Sequence, residues 1–276
     1  MQQRPTASMR VHLARITSSL TRWFSRTPKP IPAALWQRTL AEFPFLAVLQ
    51  RADRMHLHRL ASRFLDQKEF SGAQGLVVTD DMAVAVAAQA CLPLLHLGTA
   101  ASSALRLYAN FKGIVLHPGA MLARRERLDA AGVVHGYSEA LVGEAMDGGP
   151  VTLSWQDVRD AGVFAPRGHN VVIHEFIHKI DMKTGTPNGC PPLPSRIAKA
   201  QWQRVMQANF DSFYHQLTMA ERFGAEAPWL NAYGATNPAE FFAVTAEAYF
   251  VNRARFSQEF YELTALFDAF FIKNGR

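Results

Sequence analysis

The chain has 276 residues, of which 49% are hydrophobic and 19% are charged, a balance typical of a soluble globular protein. The formal net charge of +6 comes from one end, because the first 41 residues hold seven of the 29 Lys and Arg residues and no acid. The rest of the chain therefore holds 22 basic against 23 acidic residues. We expect no direct binding of nucleic acid.

Cysteine usage and hydropathy indicate the compartment. Cys91 and Cys190 are the only cysteines and have no C-x-x-C spacing, which excludes the disulfide framework of a small secreted domain. The longest apolar run, residues 82–97, contains two polar residues and a proline, so we expect core and no transmembrane segment. The Arg-rich N-terminus lacks the continuous apolar stretch of a secretory signal. A cytoplasmic location is predicted.

Residues 1–35 are predicted to be a basic, flexible N-terminal tail that precedes a single domain over residues 36–276. Apolar residues in the tail recur at roughly helical spacing among arginines: Val11, Leu13, Ile16, Leu20 and Trp23. Such a segment is either an arm that binds a membrane surface or a partner, or a mobile terminus. We favour the mobile terminus, because chain ends are commonly poorly ordered.

The body of the chain is predicted to be α+β: a mostly helical single domain with a small mixed β-sheet. Residues 40–110 show mostly helical patterns. Short β-rich runs bounded by Gly and Pro follow at residues 113–119 and 150–155, next to the next helix. Later helices are predicted around Trp202, from Pro238, and finally along an apolar stripe, which comprises Phe256, Phe260, Leu263, Phe267 and Phe270.

An H-E-x-x-H motif is the strongest chemical signal in the sequence. His174 and His178 are four residues apart, so on a helix both imidazoles lie on one face and can reach a single Zn²⁺. Glu175 can lean toward a metal-bound water and accept its proton. Asn170 is a suitable N-cap, and Gly185 follows as a stop. Because the surrounding run is apolar nearly all round, three polar side chains inside it indicate a metal site.

A catalytic zinc site needs a third protein ligand, for which Asp181, Glu240 and Glu247 are candidates. Three ligands from one straight helix would give poor tetrahedral geometry, so Asp181 is expected to support the site or the fold instead. Glu240 is also at the third position of a helix that begins with Asn237 and Pro238, where it could serve only as a capping-box glutamate. Spacing alone leaves Glu240 and Glu247 both open, with Glu240 slightly favoured.

Several separated motifs resemble one known family, the Mlc titration factor A family of bacterial gluzincin-type zinc peptidases. The resemblance extends from about Trp36 to the C-terminal helix. The motifs that carry it are Phe43–Leu46, Ala88–Pro93, Asn170–Met182, Asn188–Leu193 and Tyr233–Ala243.

This resemblance implies a zincin-like fold and a zinc metallopeptidase domain over residues 36–276. It implies that His174, His178 and Glu240 bind one Zn²⁺, that Glu175 is the catalytic base, and that Tyr233 stabilises the oxyanion. It also implies aminopeptidase activity on a peptide or protein substrate, and association with a transcriptional repressor of sugar uptake. The alternative is a non-catalytic protein that sequesters the repressor and retains a zinc site.

One position departs from the gluzincin pattern. Gluzincins often have a second carboxylate four residues after the glutamate ligand, and here that position is Val244. Support for a ligand histidine is therefore expected from elsewhere, with Asp181 or Glu247 as candidates.

Overall fold

The computed structural model describes residues 29–98, 101–119, 123–128, 134–139 and 148–272. Most of the predicted basic tail, up to residue 28, therefore lies outside the described residues.

The first described residues, from residue 29 onward, already contribute to the core. Ile31 and Leu35 are buried, and the first described helix starts at Ala33. The Ile31 backbone N–H donates to Ser62 Oγ at 3.2 Å, which fixes this entry segment against a neighbouring helix.

Helices make up most of the described chain, which confirms the predicted α+β class with helix dominant. The helices are α1 (Ala33–Glu42), α2 (Pro44–Ala47), α3 (Arg51–Gln67), α4 (Asp80–Cys91), α5 (Ala101–Ala104), α6 (Trp155–Phe164), α7 (Val171–Asp181), α8 (Arg196–Phe223), α9 (Pro238–Val251), α10 (Arg253–Glu259) and α11 (Tyr261–Phe271). None of the helices in this part of the chain combines the length and apolar character needed to cross a bilayer.

The strands form two separate sheets. β1 (Glu69–Gly72), β2 (Gly113–His117) and β5 (Val151–Ser154) form a parallel sheet in the order β1–β2–β5. β3 (Ala123–Leu128) and β4 (Val134–Glu139) pair antiparallel. Both strand directions therefore occur, but in different sheets, whereas one small mixed sheet was predicted. β1 lies inside a stretch that was predicted to be mostly helical.

Two buried helices lie at the centre of the fold and pack against each other. All eleven residues of α7 are buried, and in α9 every residue from Ala239 to Tyr249 is buried. Aromatic rings surround them: Phe176 of α7 lies 4.9 Å from the Tyr108 ring, and Phe242 of α9 lies 5.4 Å from Trp202. Polar side chains on α7 and α9 are thereby enclosed in an apolar core.

The prediction of one final helix along the phenylalanine stripe was wrong in detail. α10 ends and α11 begins around Phe260, whose φ of −126° and ψ of 61° are not helical. The stripe still makes one packed surface, because the rings of Phe256 and Phe267 stack with centroids 5.8 Å apart. The break therefore interrupts the helix but keeps the apolar side chains together.

Candidate metal centre

Asn170 fixes the start of α7 in three directions. Its Oδ1 accepts the Ile173 N–H at 2.9 Å, as predicted for an N-cap. Its Nδ2 donates to Gln89 Oε1 on α4 at 2.7 Å, and its backbone N–H donates to Glu247 Oε2 on α9 at 2.5 Å. Because each of these groups is buried and hydrogen-bonded, the helix that carries the H-E-x-x-H motif enters the core in one fixed position.

The two motif histidines and Glu240 converge on one point. His174 Nε2 lies 3.1 Å from His178 Nε2, and Glu240 Oε2 lies 3.1 Å from the former nitrogen and 3.2 Å from the latter. All three residues are buried, and they form a group whose ligand atoms lie within 4.8 Å of one another.

This donor set suits a divalent metal. Two imidazole nitrogens and one carboxylate oxygen are the protein ligands of catalytic zinc sites that leave a position open for water. Two imidazole nitrogens facing each other at 3.1 Å also need a proton or a cation between them, because both are lone-pair acceptors when neutral. The residues present therefore fit the metal that the sequence predicted.

The side chain of Glu240 does not serve its own helix start. Asn237 Oδ1 accepts the N–H groups of Ala239 and Glu240 at 2.9 and 3.0 Å, and so caps the first turn of α9. The Glu240 carboxylate instead points to the imidazoles. Pro238 occupies the first helical position, as predicted.

Glu247 contacts the ring of one candidate ligand, His174, on the side away from the other two. Its Oε1 lies 2.7 Å from His174 Nδ1, and its Oε2 lies 2.8 Å from His169 Nδ1. A carboxylate on Nδ1 fixes the ring orientation of a histidine and leaves Nε2 for a metal. The structure thus places Glu247, two turns after Glu240, in the supporting position that Val244 cannot fill.

Asp181, the other candidate for that support, points elsewhere. Its Oδ2 accepts the backbone N–H groups of Asn188 and Gly189 at 2.9 and 2.7 Å, and its Oδ1 accepts that of Cys190 at 3.0 Å. The carboxylate therefore holds the loop that follows α7, and does not contact an imidazole through these bonds.

For His174, Glu240 and Glu247, opposite charges outweigh burial in setting the pKa values. Burial disfavours the charged form of every group here, but Glu247 and Glu240 raise the pKa of His174 well above its usual value. Conversely, His169 and His174 lower the pKa of Glu247 to about 2, and the two ligand histidines hold the pKa of Glu240 well below its usual range. The raised pKa of His174 favours its protonated form when no metal is bound, and an incoming cation must displace that proton.

Glu175 differs from the other two glutamates. It is buried beside the ligand histidines, and burial raises the pKa of its carboxyl above the ordinary value, because the partly offsetting attraction of His174 and His178 is smaller. A higher pKa makes a carboxylate a better proton acceptor near neutral pH.

Tyr233 lies next to His174, one of the candidate ligands. It belongs to the short 3₁₀ turn Ala232–Ala235, in which Asn231 Oδ1 accepts the Tyr233 N–H at 3.0 Å. Its ring centroid lies 6.1 Å from that of His174. The structure therefore brings Tyr233 to the same centre as the motif residues.

A cavity of about 500 Å³ adjoins two of the candidate ligands, His178 and Glu240, at the first turn of α9. Its lining is apolar or neutral apart from the ligand carboxylate, and consists of His178, Met182, Pro187, Asn188, Asn237, Pro238, Ala239 and Glu240. It gives the centre room for part of a substrate.

Sequence reasoning missed two contributors to the centre. His169 was not singled out, and Asn170 was recognised only as a cap, although its backbone N–H binds Glu247. A signal was available for both, because the two residues directly precede the motif helix. A buried carboxylate two turns beyond Glu240 also needed partners.

Zinc metalloproteases combine an H-E-x-x-H motif on one helix with a glutamate from elsewhere in the chain, and this chain has both features. Comparison with known proteins agrees. The chain belongs to the family described as glucose-regulated metallo-peptidase M90, whose family model matches residues 18–272.

Relatives named Mlc titration factor A are similar over most of their length. The protein from Serratia proteamaculans (strain 568) is 35% identical over 229 residues, which cover 83% of this chain and 82% of the relative. Those from Yersinia pestis (strain Pestoides F) and Yersinia pseudotuberculosis serotype O:1b (strain IP 31758) are each 33% identical over 83% of this chain and 80% of the relative. The resemblance drawn from the sequence motifs is thereby confirmed.

Proposed function

We propose that the protein is a zinc-dependent peptidase in which His174, His178 and Glu240 hold one Zn²⁺. The observation that carries the proposal is the convergence of two imidazole nitrogens and one carboxylate oxygen, 3.1–3.2 Å apart, inside a buried core. Without a metal, these three buried ionisable side chains would be paired only with one another. Their removal from water would then lower the stability of the fold, whereas a bound metal ion compensates for it.

Zinc, when bound, supplies a Lewis acid that lowers the pKa of water to about 7 and polarises a carbonyl. The residues of the chain supply the proton transfers. Glu175, whose pKa burial raises, accepts the proton that the attacking water loses. It then returns that proton to the amine that leaves when the peptide C–N bond breaks.

The remaining roles are positioning and charge stabilisation. Tyr233, beside His174, donates its phenolic hydrogen to the oxygen that becomes negative during attack. Glu247 keeps the His174 ring oriented, with Nε2 toward the centre.

The proposed substrate is a peptide or protein, with aminopeptidase activity as the specific form that the family resemblance implies. A test uses two synthetic peptide libraries that differ only in a free or an acetylated N-terminus. After chelation and reloading with about one zinc per chain, the protein is expected to shorten free-amine peptides from the N-terminus and to leave the acetylated ones. No hydrolysis of either library by reloaded protein would contradict the peptidase proposal.

A second function is favoured by the name of the relatives. Mlc titration factor A describes proteins that titrate Mlc, and we infer that this chain also binds a repressor of that kind. Such binding does not require hydrolysis, so a repressor-sequestering protein with a zinc site is the alternative function.

The two functions separate in one variant. Glu175→Gln removes the proposed base but keeps the size of the side chain, so an immobilised Mlc-like repressor should retain this variant as well as wild type. If retention survives while the zinc-loaded wild type hydrolyses no peptide, the binding function stands alone. If neither protein is retained, the partner proposal is wrong.

A further inference from the structure

A three-residue segment, Asn188–Cys190, contacts both of the helices that carry the candidate ligands, α7 and α9. It lies in the loop between α7 and α8, and all three of its backbone N–H groups donate to the Asp181 carboxylate, at 2.7–3.0 Å. Asp181 is the last residue of α7 and is fully buried. Hydrogen bonds to an ionised acceptor are roughly twice as strong as neutral ones. The end of α7 therefore fixes this segment firmly.

The same segment is pressed onto the beginning of α9. Gly189 has a φ of +76°, and a Cβ atom there would lie 2.4 Å from the Pro238 carbonyl oxygen. Only glycine allows the two backbones to approach so closely in this conformation. Pro238 is two residues before Glu240 and in the same first turn of α9.

Trp202 of α8 contacts both the segment and α9. Its Nε1–H donates to the Gly189 carbonyl oxygen at 2.7 Å, and its ring packs edge-on against Phe242 of α9 with centroids 5.4 Å apart. The segment is thus held by α7 through its N–H groups and by α8 through a carbonyl, with the first turn of α9 against it. We name Asp181, Gly189 and Trp202 the loop clamp.

We propose that Asp181 is a positioning residue of the metal centre, which acts through the loop clamp to set the place of Glu240 relative to His178. The proposal rests on the proposed metal site, for which Glu240 is a ligand. Asp181 follows His178 by three residues on α7, and the segment that it holds contacts the turn that carries Glu240. The clamp therefore connects a ligand of one helix to a ligand of the other.

The geometry of a metal centre makes such a connection consequential. Ligand distances tolerate only about 0.2 Å of change, and functional side chains must be held within about 0.5 Å. Glu240 reaches both imidazoles from the first turn of its helix, and Asn237 caps the N–H groups of that turn. Besides the contacts of Glu240 itself with the two imidazoles, the held segment is a further contact that fixes this turn from the side of α7.

The first residue of the segment, Asn188, also lines the cavity beside the candidate ligands. The preceding residue, Pro187, lines the same cavity, as do Asn237 and Pro238 of the turn that carries Glu240. The Asn188 amide is oriented, because its Oδ1 accepts the Cys190 N–H at 3.0 Å. Loss of the clamp is therefore expected to move the cavity wall together with Glu240.

A purely structural role would lower stability without changing the centre, so the test compares three near-isosteric variants. Asp181→Asn removes the charge and places an N–H donor against backbone donors. Trp202→Phe keeps an aromatic ring but removes the hydrogen bond to Gly189. Tyr249→Phe is the matched control, because it keeps an aromatic ring and removes a hydroxyl that donates to Asp268 at 2.7 Å, at the other end of α9.

Two readouts are used, one with metal and one without. Zinc affinity is measured by chelator competition. In the metal-free protein, side-chain ¹⁵N resonances of the histidines report the contact between His178 and Glu240. We expect 10–100-fold weaker zinc binding for Asp181→Asn, a smaller loss for Trp202→Phe, and shifted His178 resonances in both. Tyr249→Phe is expected to keep a zinc affinity within about twofold of wild type, as for substitutions away from a functional feature, with unshifted resonances.

The inference is overturned if both clamp variants lose thermal stability but keep wild-type zinc affinity and unshifted His178 resonances. Failure of the proposed function has a different signature, since the wild type would then bind no zinc. In that case the His178 resonances of the metal-free protein test the loop clamp by themselves. Shifts in Asp181→Asn and Trp202→Phe, but not in Tyr249→Phe, would support the role of the clamp in placing Glu240. Unshifted resonances in both clamp variants would refute it.

Discussion

The two central helices bring polar groups to the metal centre in different ways. On α7, His174, Glu175 and His178 fall within five consecutive residues. On α9, Glu240 and Glu247 are seven residues apart and approach opposite edges of the His174 ring, at Nε2 and Nδ1. The first pattern is a compact motif whose spacing alone indicates its chemistry. The second consists of two similar carboxylates whose different tasks depend on where α9 packs.

The difference teaches that carboxylates of one helix stripe need not be equivalent. Glu240 faces both ligand nitrogens, whereas Glu247 contacts His174 and His169 and the N–H of Asn170. Loss of a residue that binds the metal directly should therefore reduce zinc binding more than loss of a residue that only orients a ligand.

The largest effect is expected for Glu240→Ala. Removal of a direct ligand leaves two imidazoles, so we expect loss of stoichiometric zinc and of all peptide hydrolysis. Metal content after gel filtration measures the loss. Glu221→Ala, an exposed glutamate on α8, is the matched control and should keep wild-type zinc. Full zinc content in Glu240→Ala would remove Glu240 from the ligand set.

Glu175→Gln is expected to keep the metal and lose turnover. General base catalysis contributes about 10²–10⁴-fold, so kcat should fall by that amount with little change in zinc affinity. Stopped assays on the free-amine peptide library give the rate, and metal analysis of the same sample provides the control. Wild-type kcat in this variant would show that another group accepts the proton.

A smaller effect is expected for Glu247→Gln, which sharpens the contrast with Glu240. The amide keeps the shape but loses the charge that orients His174, so zinc affinity should fall about 10–100-fold while stoichiometric binding persists at high zinc. Chelator competition measures the change. A complete loss of zinc, as for Glu240→Ala, would make the two carboxylates equivalent and break the comparison.

Acid stability of the metal-free protein tests the charge of Glu247 separately. Its folded pKa of about 2 lies below the ordinary 4.5, so its contribution is present above pH 4.5 and is lost as the pH falls toward 2. We expect wild type to lose more unfolding free energy than Glu247→Gln between these pH values, as measured by urea denaturation. Parallel curves for the two proteins would contradict the pKa assignment.

Zinc binding itself should depend on pH through His174. The raised pKa of His174 means that zinc displaces a proton from the metal-free centre. Zinc affinity is then expected to rise by up to about tenfold per pH unit while His174 is protonated. Calorimetry in buffers of different ionisation enthalpy counts the released protons, and a count of zero near neutral pH would refute this account.

Much of the centre could be predicted from local sequence. The caps at Asn170 and Asn237, the imidazole pair on one helix face, and burial of both helices follow from short-range rules, and the structure has each of them. The task of Glu247 could not be assigned, because spacing on α9 does not reveal which edge of His174 it meets. Asp181 was left between two roles for the same reason, since its partners lie in a loop without periodicity.

The misses in the fold have similar physical causes. β1 is four residues long and mostly exposed, so it has little hydrophobic pattern, and its pairing with β2 is non-local. The stripe on α10 and α11 keeps helical spacing through Phe260, where only the backbone angles show the break. Short elements and breaks inside a periodic run depend on tertiary contacts that the sequence pattern does not contain.

Anomalous diffraction at the zinc edge, from crystals of protein purified without chelator, tests the central claim most directly. The account predicts one strong peak about 2.0–2.2 Å from His174 Nε2, His178 Nε2 and the Glu240 carboxylate. A peak bound elsewhere, or a Glu240 carboxylate turned away from the two imidazoles in zinc-soaked crystals, would contradict it.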